Sequence, residues 1–470
     1  QKLIKILAYL GAGTVIVLAI AVGIFRLMLP RLPEYQDEIK DWASAAIGLD
    51  VQFSGMNARW RLSGPELSFF DAALQRIDGG ESLIQAAEVS IGVGFFRLIS
   101  DRELVVDRVS IRDTAIDVRQ DERGVWLVQG VSLEEFLGAR ETSTSSGGEV
   151  EIVGQNIAVQ YEHPESGQLV SFNVDSFNVK RGQSELMLKA EIGLPSEFGD
   201  RLELSASQLD ADFDDSTWRF FVEGESLNMS GFSRLQPVGL PEIDSGTVEH
   251  LNLWVDVADG VILSATANLI VTNVHARGPG ILAPFGVRGV FEFSSEANGW
   301  VLGANQLRFS TVNGDWPESE LQLRVINNED GSIDGLRTSA SYFDLNDLRY
   351  VTAWLPKERR DLFAQYNLIG VLRDVNVELA NLQSGDPEFD VSADLRSAGV
   401  TAVDSRPGIE GFSGRVRADR DGGRVEIEST DLAISISEHL ADPLLLDDAF
   451  GTVIWRRNRD GMIVLSDSVR

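Results

Sequence analysis

"VVDRVSIRDTAIDVRQDERGVW", residues 105–126, decides the fold class of this chain. It reads as two short alternating strands folded back on each other. Val109 and Ile111 share one face, and after Arg112-Asp113-Thr114 the apolar phase flips to Ile116 and Val118. A polar turn, Asp121-Glu122-Arg123-Gly124, and a tryptophan follow. A period of two gives a strand one apolar face and one wet face.

The same period recurs along most of the chain. Leu251, Leu253, Val255 and Val257 alternate with polar residues, as do Leu321, Leu323 and Val325. Val375, Val377 and Leu379 repeat the pattern, followed by Val425 and Ile427 and by Leu432, Ile434 and Ile436. Asp259-Gly260, Asn298-Gly299, Asn313-Gly314, Asp330-Gly331 and Asp421-Gly422 separate such runs. These dipeptides suit the positive φ angles of tight hairpins, so neighbouring strands are expected to be antiparallel. The chain is mainly β.

Two segments have helical spacing instead. "EYQDEIKDWASAAIG", residues 34–48, places Ile39, Trp42, Ala43 and Ala46 on one face, with Gly48 as a stop. "DLNDLRYVTAWLPKERRDLFAQY", residues 344–366, is broken by Pro356 and is expected to form two short helices. "ETSTSSGGE", residues 141–149, is a polar loop or linker. A loose internal echo links the Gly-x-x-Gly hairpins that begin at Gly286 and Gly411.

Composition removes several function classes. Lys plus Arg number 41 against 72 Asp plus Glu, a formal charge of −31, which repels phosphate backbones and sets nucleic acid aside. The absence of cysteine removes disulfides, thiolate catalysis and Cys-based zinc sites. His163, His250, His275 and His439 show no metal-ligand spacing. "GFSG" at 411–414 lacks the last glycine of a nucleophile elbow. "DGSIDG" at 330–335 begins like a calcium loop but has Ser341 where a bidentate Glu is required. No catalytic residue, metal or cofactor is expected.

"ILAYLGAGTVIVLAIAVGIF", residues 6–25, is an uncharged apolar run flanked by Lys2, Lys5, Arg26 and Arg31. It is long enough to cross a bilayer, and no small-x-small cleavage site follows it. Residues 1–31 are therefore expected to be a retained single-pass anchor, with the bulk of the chain outside the cytoplasm. Arg470 follows a returning strand with no capping element, which suggests the N-terminal portion of a longer protein.

So many strands exceed what one open twisted sheet usually holds, roughly ten. Closed sandwiches or barrels, a solenoid, or one long curled sheet would each resolve this. Here the order of segments adds information: an apolar N-terminal run, a short helix ending in Gly48, "ARWRLSGPELSFFDAALQ" at 58–75, and the paired strands through Gly124-Val125-Trp126. This order resembles the AsmA-like proteins of Gram-negative bacteria, most closely those of the YhdP type. "DLNDLRYVTAWLPKERRDLFAQYNLIGVLRDVNVEL" from Asp344 and "RPGIEGFSGRVRADRDGGRVEIE" from Arg406 extend the similarity along the chain.

The resemblance implies a fold: an N-terminal transmembrane helix followed by a long, curled antiparallel β-sheet forming an apolar groove, with a few short helices. It also implies an organisation. The anchor, 1–31, would lead into a β-groove segment with a short leading helix at 32–140 and the polar loop at 141–149. Repeated groove modules would occupy 150–343, a helical insertion 344–366, and a further module 367–470. The implied role is that of an inner-membrane-anchored periplasmic bridge-like lipid transfer protein, conducting phospholipid toward the outer membrane. Its partners would be phospholipid, the inner membrane and other envelope proteins.

The residues expected to line the groove are Val109, Ile111, Leu251, Leu253, Val255, Leu321, Leu323, Val375, Val377, Val425, Ile427, Leu432 and Ile434. A non-enzymatic envelope scaffold that binds proteins by strand addition is the alternative.

Overall fold

The computed structural model describes residues 35–47, 50–61, 64–75, 82–94, 106–121, 125–132, 150–162, 169–182, 185–209, 217–233, 242–258, 260–277, 283–353, 365–384, 387–402, 407–436, 442–458, 461–467 and 469–470, with residues 23, 167 and 360 as isolated positions. Most of the apolar run at 6–25 and all of the polar loop at 141–149 lie outside the described residues. Among the described residues no helix is long and apolar enough to cross a membrane.

The chain divides into two compact units, Gln1–Pro195 with Arg201–Trp218, and Ser196–Asp200 with Arg219–Arg470. In the first, helix α1 (Gln36–Ile47) precedes strands β1 (Asp50–Gln52), β2 (Gly55–Trp60), β3 (Pro65–Gln75) and β4 (Ser82–Val93). Then come β5 (Val106–Gln120), β6 (Trp126–Val128), β7 (Val131–Ser132) and β8 (Val150–Glu162), followed by β9 (Leu169–Arg181), β10 (Glu185–Gly193) and β11 (Arg201–Leu209). Strands pair with their sequence neighbours in antiparallel fashion, as the turn chemistry predicts.

Among the described strands of this unit, β1 skips β2 to pair antiparallel with β3, and one pair breaks the rule of direction. β5 and β8 are parallel, because residues 121–149 return the chain to the end of the sheet from which β5 started. A parallel neighbour requires such a crossover in place of a tight hairpin.

The stretch at 105–126 differs from the hairpin its pattern predicts. Residues 106–120 are not two strands folded back on each other but the single strand β5, with Asp113 in the left-handed region at φ 49°. One such residue shifts the side-chain phase by one without reversing the chain. Ile111 and Thr114 therefore face the same way, where strict alternation would oppose them. Asp71 in β3 (φ 49°) and Asn156 in β8 (φ 54°) do the same. The pairs flanking these residues place Asp71, Ala87, Asp113, Asn156 and Asp175 opposite one another across β3, β4, β5, β8 and β9. Adjacent strands thus shift phase together and stay paired through the kink. Asp and Asn tolerate this conformation better than other side chains because they bond locally to backbone.

The second unit begins with the greater part of β12 (Thr217–Asn228) and a short helix α2 (Met229–Ser233). β13 (Glu242–Ala258), β14 (Val261–Arg277), β15 (Phe285–Glu296), β16 (Gly299–Thr311) and β17 (Gly314–Asp315) follow. β18 (Ser319–Asn327) and β19 (Ile333–Asp344) come next, then a 3-10 turn at Leu345–Asp347 and helix α3 (Leu348–Thr352). The unit ends with β20 (Ile369–Ala380), β21 (Glu388–Val400), β22 (Gly408–Asp419), β23 (Gly422–Ser435), β24 (Leu444–Asn458) and β25 (Gly461–Asp467). α3 accounts for the first helix expected at 344–366; residues 354–359 and 361–364 lie outside the described residues. Left-handed residues recur within the strands, at Asn273, Gln306, Asp374, Ser397 and Asp431. Serine hydroxyls accept the backbone N–H groups near several of these kinks. Ser413 Oγ accepts from Ser397 N at 3.0 Å, and Ser429 Oγ from Ser413 N at 2.9 Å.

Packing is concentrated beneath the helices. The apolar face of α1 (Ile39, Trp42, Ala43) lies on Phe69, Ala72, Leu74, Ile84, Ala86, Val89 and Ile91. Tyr350 and Ala353 pack with Ala276, Phe285 and Phe309. Burial of these side chains removes apolar area from water at about 25 cal/mol per Å², which holds each helix on its sheet.

Candidate functional site

Directly paired residues of neighbouring strands share a face, so the registers trace lateral rows of side chains. In the second unit one row runs from β13 to β25 as Val255, Ala265, Phe293, Leu302, Leu323, Thr338, Val377, Val391, Ala418, Gly423, Trp455 and Val464. A second row beside it joins Leu253, Ala267, Phe291, Ala304, Leu321, Ala340 and Val375. Ala393, Val416, Val425 and Val453 form a further row on the same face. Thr338 is the only hydroxyl-bearing side chain in the first two rows; the rest are apolar or glycine.

The first unit has its own rows. Ala58, Leu67, Ile91, Val109, Ile152, Val179, Leu188 and Ala206 are paired in series. Alongside run Met56, Phe69, Val89, Ile111, Gly154, Phe177, Ala190 and Leu204. Gly154 is required there: a Cβ on it would lie 1.9 Å from the Phe177 ring, so the ring occupies the space over the glycine.

The opposite face is polar and ion-paired. Arg415 forks onto Asp394 with bonds of 2.6 and 2.9 Å, and Arg219 onto Asp256 with bonds of 2.8 and 3.3 Å. The Arg415 hydrogen bond holds the Asp394 carboxyl below the usual aspartate range, and Arg219 does the same for Asp256. His275 Nδ1 bonds Ser245 Oγ and His250 Nε2 bonds Asn252 Nδ2, both within the sheet. Among the described residues no three His, Asp or Glu side chains gather as metal ligands would.

A family model described as "YhdP protein" matches residues 1–470. The chain belongs to the YhdP family. The intermembrane phospholipid transporter YhdP of Escherichia coli (strain K12) is 24% identical over 492 residues, a match covering 98% of this chain and 36% of that protein. This YhdP-family chain therefore spans about a third of the length of the curated relative it matches.

Within it the residues singled out from sequence take definite places. Leu253 and Leu321 lie in one row, Val255, Leu323 and Val377 in the other, with Val375 ending the former. Leu251 pairs with Leu269 one step along the same face. Val425 and Ile427 precede the kink at Asp431, and Leu432 and Ile434 continue the face beyond it. Most of these side chains are half-buried; Val109 and Leu432 are each 4% exposed, and Ile111 packs against the cluster under α1. Sequence reasoning did not select Phe291, Phe293, Leu302 or Phe177. The alternation in "GVFEF" at 289–293 carries the signal for the first two.

Proposed function

We propose that this chain is a section of an inner-membrane-anchored periplasmic conduit that conducts phospholipid along an apolar β-groove toward the outer membrane. Residues 6–25 would be its anchor, the paired rows its floor, and the ion-paired face its wet exterior. The observation that carries the reading is the run of directly paired apolar side chains from β13 to β25. The family, whose Escherichia coli member is named an intermembrane phospholipid transporter, supports the same cargo.

The energetics favour such a floor. Exposing an acyl chain to water costs about 0.8 kcal/mol per methylene, so a two-chain lipid faces tens of kcal/mol in free transit. A continuous strip of Leu, Val, Phe and Ala removes most of that barrier and requires no catalytic group. Small members such as Ala265 and Ala267 alternate with Phe293 and Phe291, which leaves room for methylene chains along the strip.

The experiment is native mass spectrometry with lipid extraction on detergent-free protein, wild type and Leu323→Asp. The conduit reading expects co-purified phospholipid in the wild type. It also expects a folded variant that has lost it, because the carboxylate stays hydrated in an open groove. A variant that unfolds along with similar substitutions at Leu253 and Val377 would place these residues in a closed core. The alternative reading is a scaffold that binds proteins by strand addition. It expects a polypeptide guest in the same spectra.

A further inference from the structure

The apolar face of the second unit continues past its kinks. Beyond Asn273, β14 carries it on through Val274 and Ala276. Phe285 of β15 stands opposite Val274, and Phe309 of β16 opposite Val287. Ala276, Phe285 and Phe309 thus belong to the same surface as the long rows.

Tyr350 lies on that surface. Its ring meets Phe285 and Phe309 edge-on, with centroids 5.3 and 5.6 Å away, and the residue is 2% exposed. Its hydroxyl is buried with no hydrogen-bond partner. An unpaired buried hydroxyl opposes the packing that holds the ring in place, whereas a phenylalanine would fill the space without that cost. The nearby Asp347 carboxylate is already engaged. Asp347, at the entry to α3, accepts Trp316 Nε1 at 2.8 Å, Thr311 Oγ1 at 2.9 Å and Asn313 Nδ2 at 2.8 Å. The start of α3 is therefore pinned by hydrogen bonds, while the Tyr350 ring is held by its aromatic neighbours and by the Arg349 guanidinium, 5.2 Å from its centroid.

We infer that Ala276, Phe285 and Phe309 form an acyl-chain subsite and that Tyr350 occupies it in the lipid-free protein. A methylene chain entering there supplies the dispersion contacts of the ring. The displaced phenol regains a hydrogen bond with water or a lipid ester. Lipid and ring then compete for one surface, with Asp347 as the fixed point about which α3 yields. The inference rests on the lipid-conduit reading above.

The test uses the whole chain, freed of lipid and then exposed to vesicles of dioleoyl phosphatidylethanolamine and dioleoyl phosphatidylglycerol. Bound phospholipid is measured by mass spectrometry and opening of α3 by hydrogen exchange at Ala353, whose N–H bonds Arg349 O at 3.2 Å. Loading should speed that exchange about tenfold, and Tyr350→Phe should slow it about tenfold without lipid and reduce uptake. Lipid that binds without changing exchange at Ala353, together with a Tyr350→Phe protein that exchanges and loads like the wild type, would overturn the subsite. A wild-type protein that takes up no phospholipid would overturn the conduit reading itself.

Discussion

Asn156 Nδ2 donates to Asp113 Oδ1 at 2.5 Å, joining the kinks of β8 and β5 across the parallel β5–β8 pair. Both residues are left-handed, and their bond aligns the kink of the strands before the crossover with that of the strands after it. Asn156→Val should destabilise the first unit by about 2 kcal/mol, since a β-branched residue is costly in that conformation. Asn156→Gly, which relieves the backbone but loses the bond, should cost less than half as much. Thermal unfolding of the two variants checks the order.

Gly154 and Phe177 form a small–large pair on the apolar face of the first unit's sheet. Gly154→Val forces the ring off its site and should cost about 1–3 kcal/mol through overpacking. Adding Phe177→Ala should recover part of that loss, although each change alone destabilises. A double-mutant cycle by urea denaturation gives the coupling.

The Asp394–Arg415 fork has a defined pH signature. Its carboxyl is held below the usual aspartate range, first by the Arg415 hydrogen bond. The stabilisation is therefore complete above the ordinary aspartate pKa and lost as pH falls through the depressed one. Asp394→Asn should lower the melting temperature at pH 7 and leave it closer to wild type under strongly acidic conditions. Because the Arg415 side chain is half exposed, the effect should be small and should shrink with added salt.

Asp347 collects three side-chain donors while only 1% exposed. Asp347→Ala leaves the indole N–H of Trp316 buried without an acceptor and should cost about 1–3 kcal/mol. The loss should be local, seen as faster hydrogen exchange from Thr311 to Trp316 and in α3 ahead of the distant strands.

Much of this architecture was legible in the residues. The helical spacing that ends at Gly48 forms α1, and the alternation of Leu321 with Leu323 or Val375 with Val377 gives strands of the expected phase. The phase flip at Asp113 is visible too, but the same pattern suits a reversal of the chain. Sequence alone does not distinguish a turn, which needs several residues, from a kink, which needs one left-handed residue. The parallel β5–β8 pair was not legible, because hairpin chemistry specifies only neighbours and residues 121–149 carry the chain past them. Nor was the cluster of Phe285, Phe309 and Tyr350 legible, since local pattern does not encode which aromatic residues meet across so long a separation.

The serial pairing from β18 to β25 has a consequence for assembly. From β19 to β24 each strand pairs with the strand before it and the strand after it, so contact order is low for a β protein and the sheet can grow as a zipper from any formed hairpin. Damage should then spread no further than the nearest neighbours, with fraying from the margins in place of global collapse. The first unit differs at the β5–β8 pair: β8 must wait for β5, and that long-range closure is the step expected to limit its folding rate.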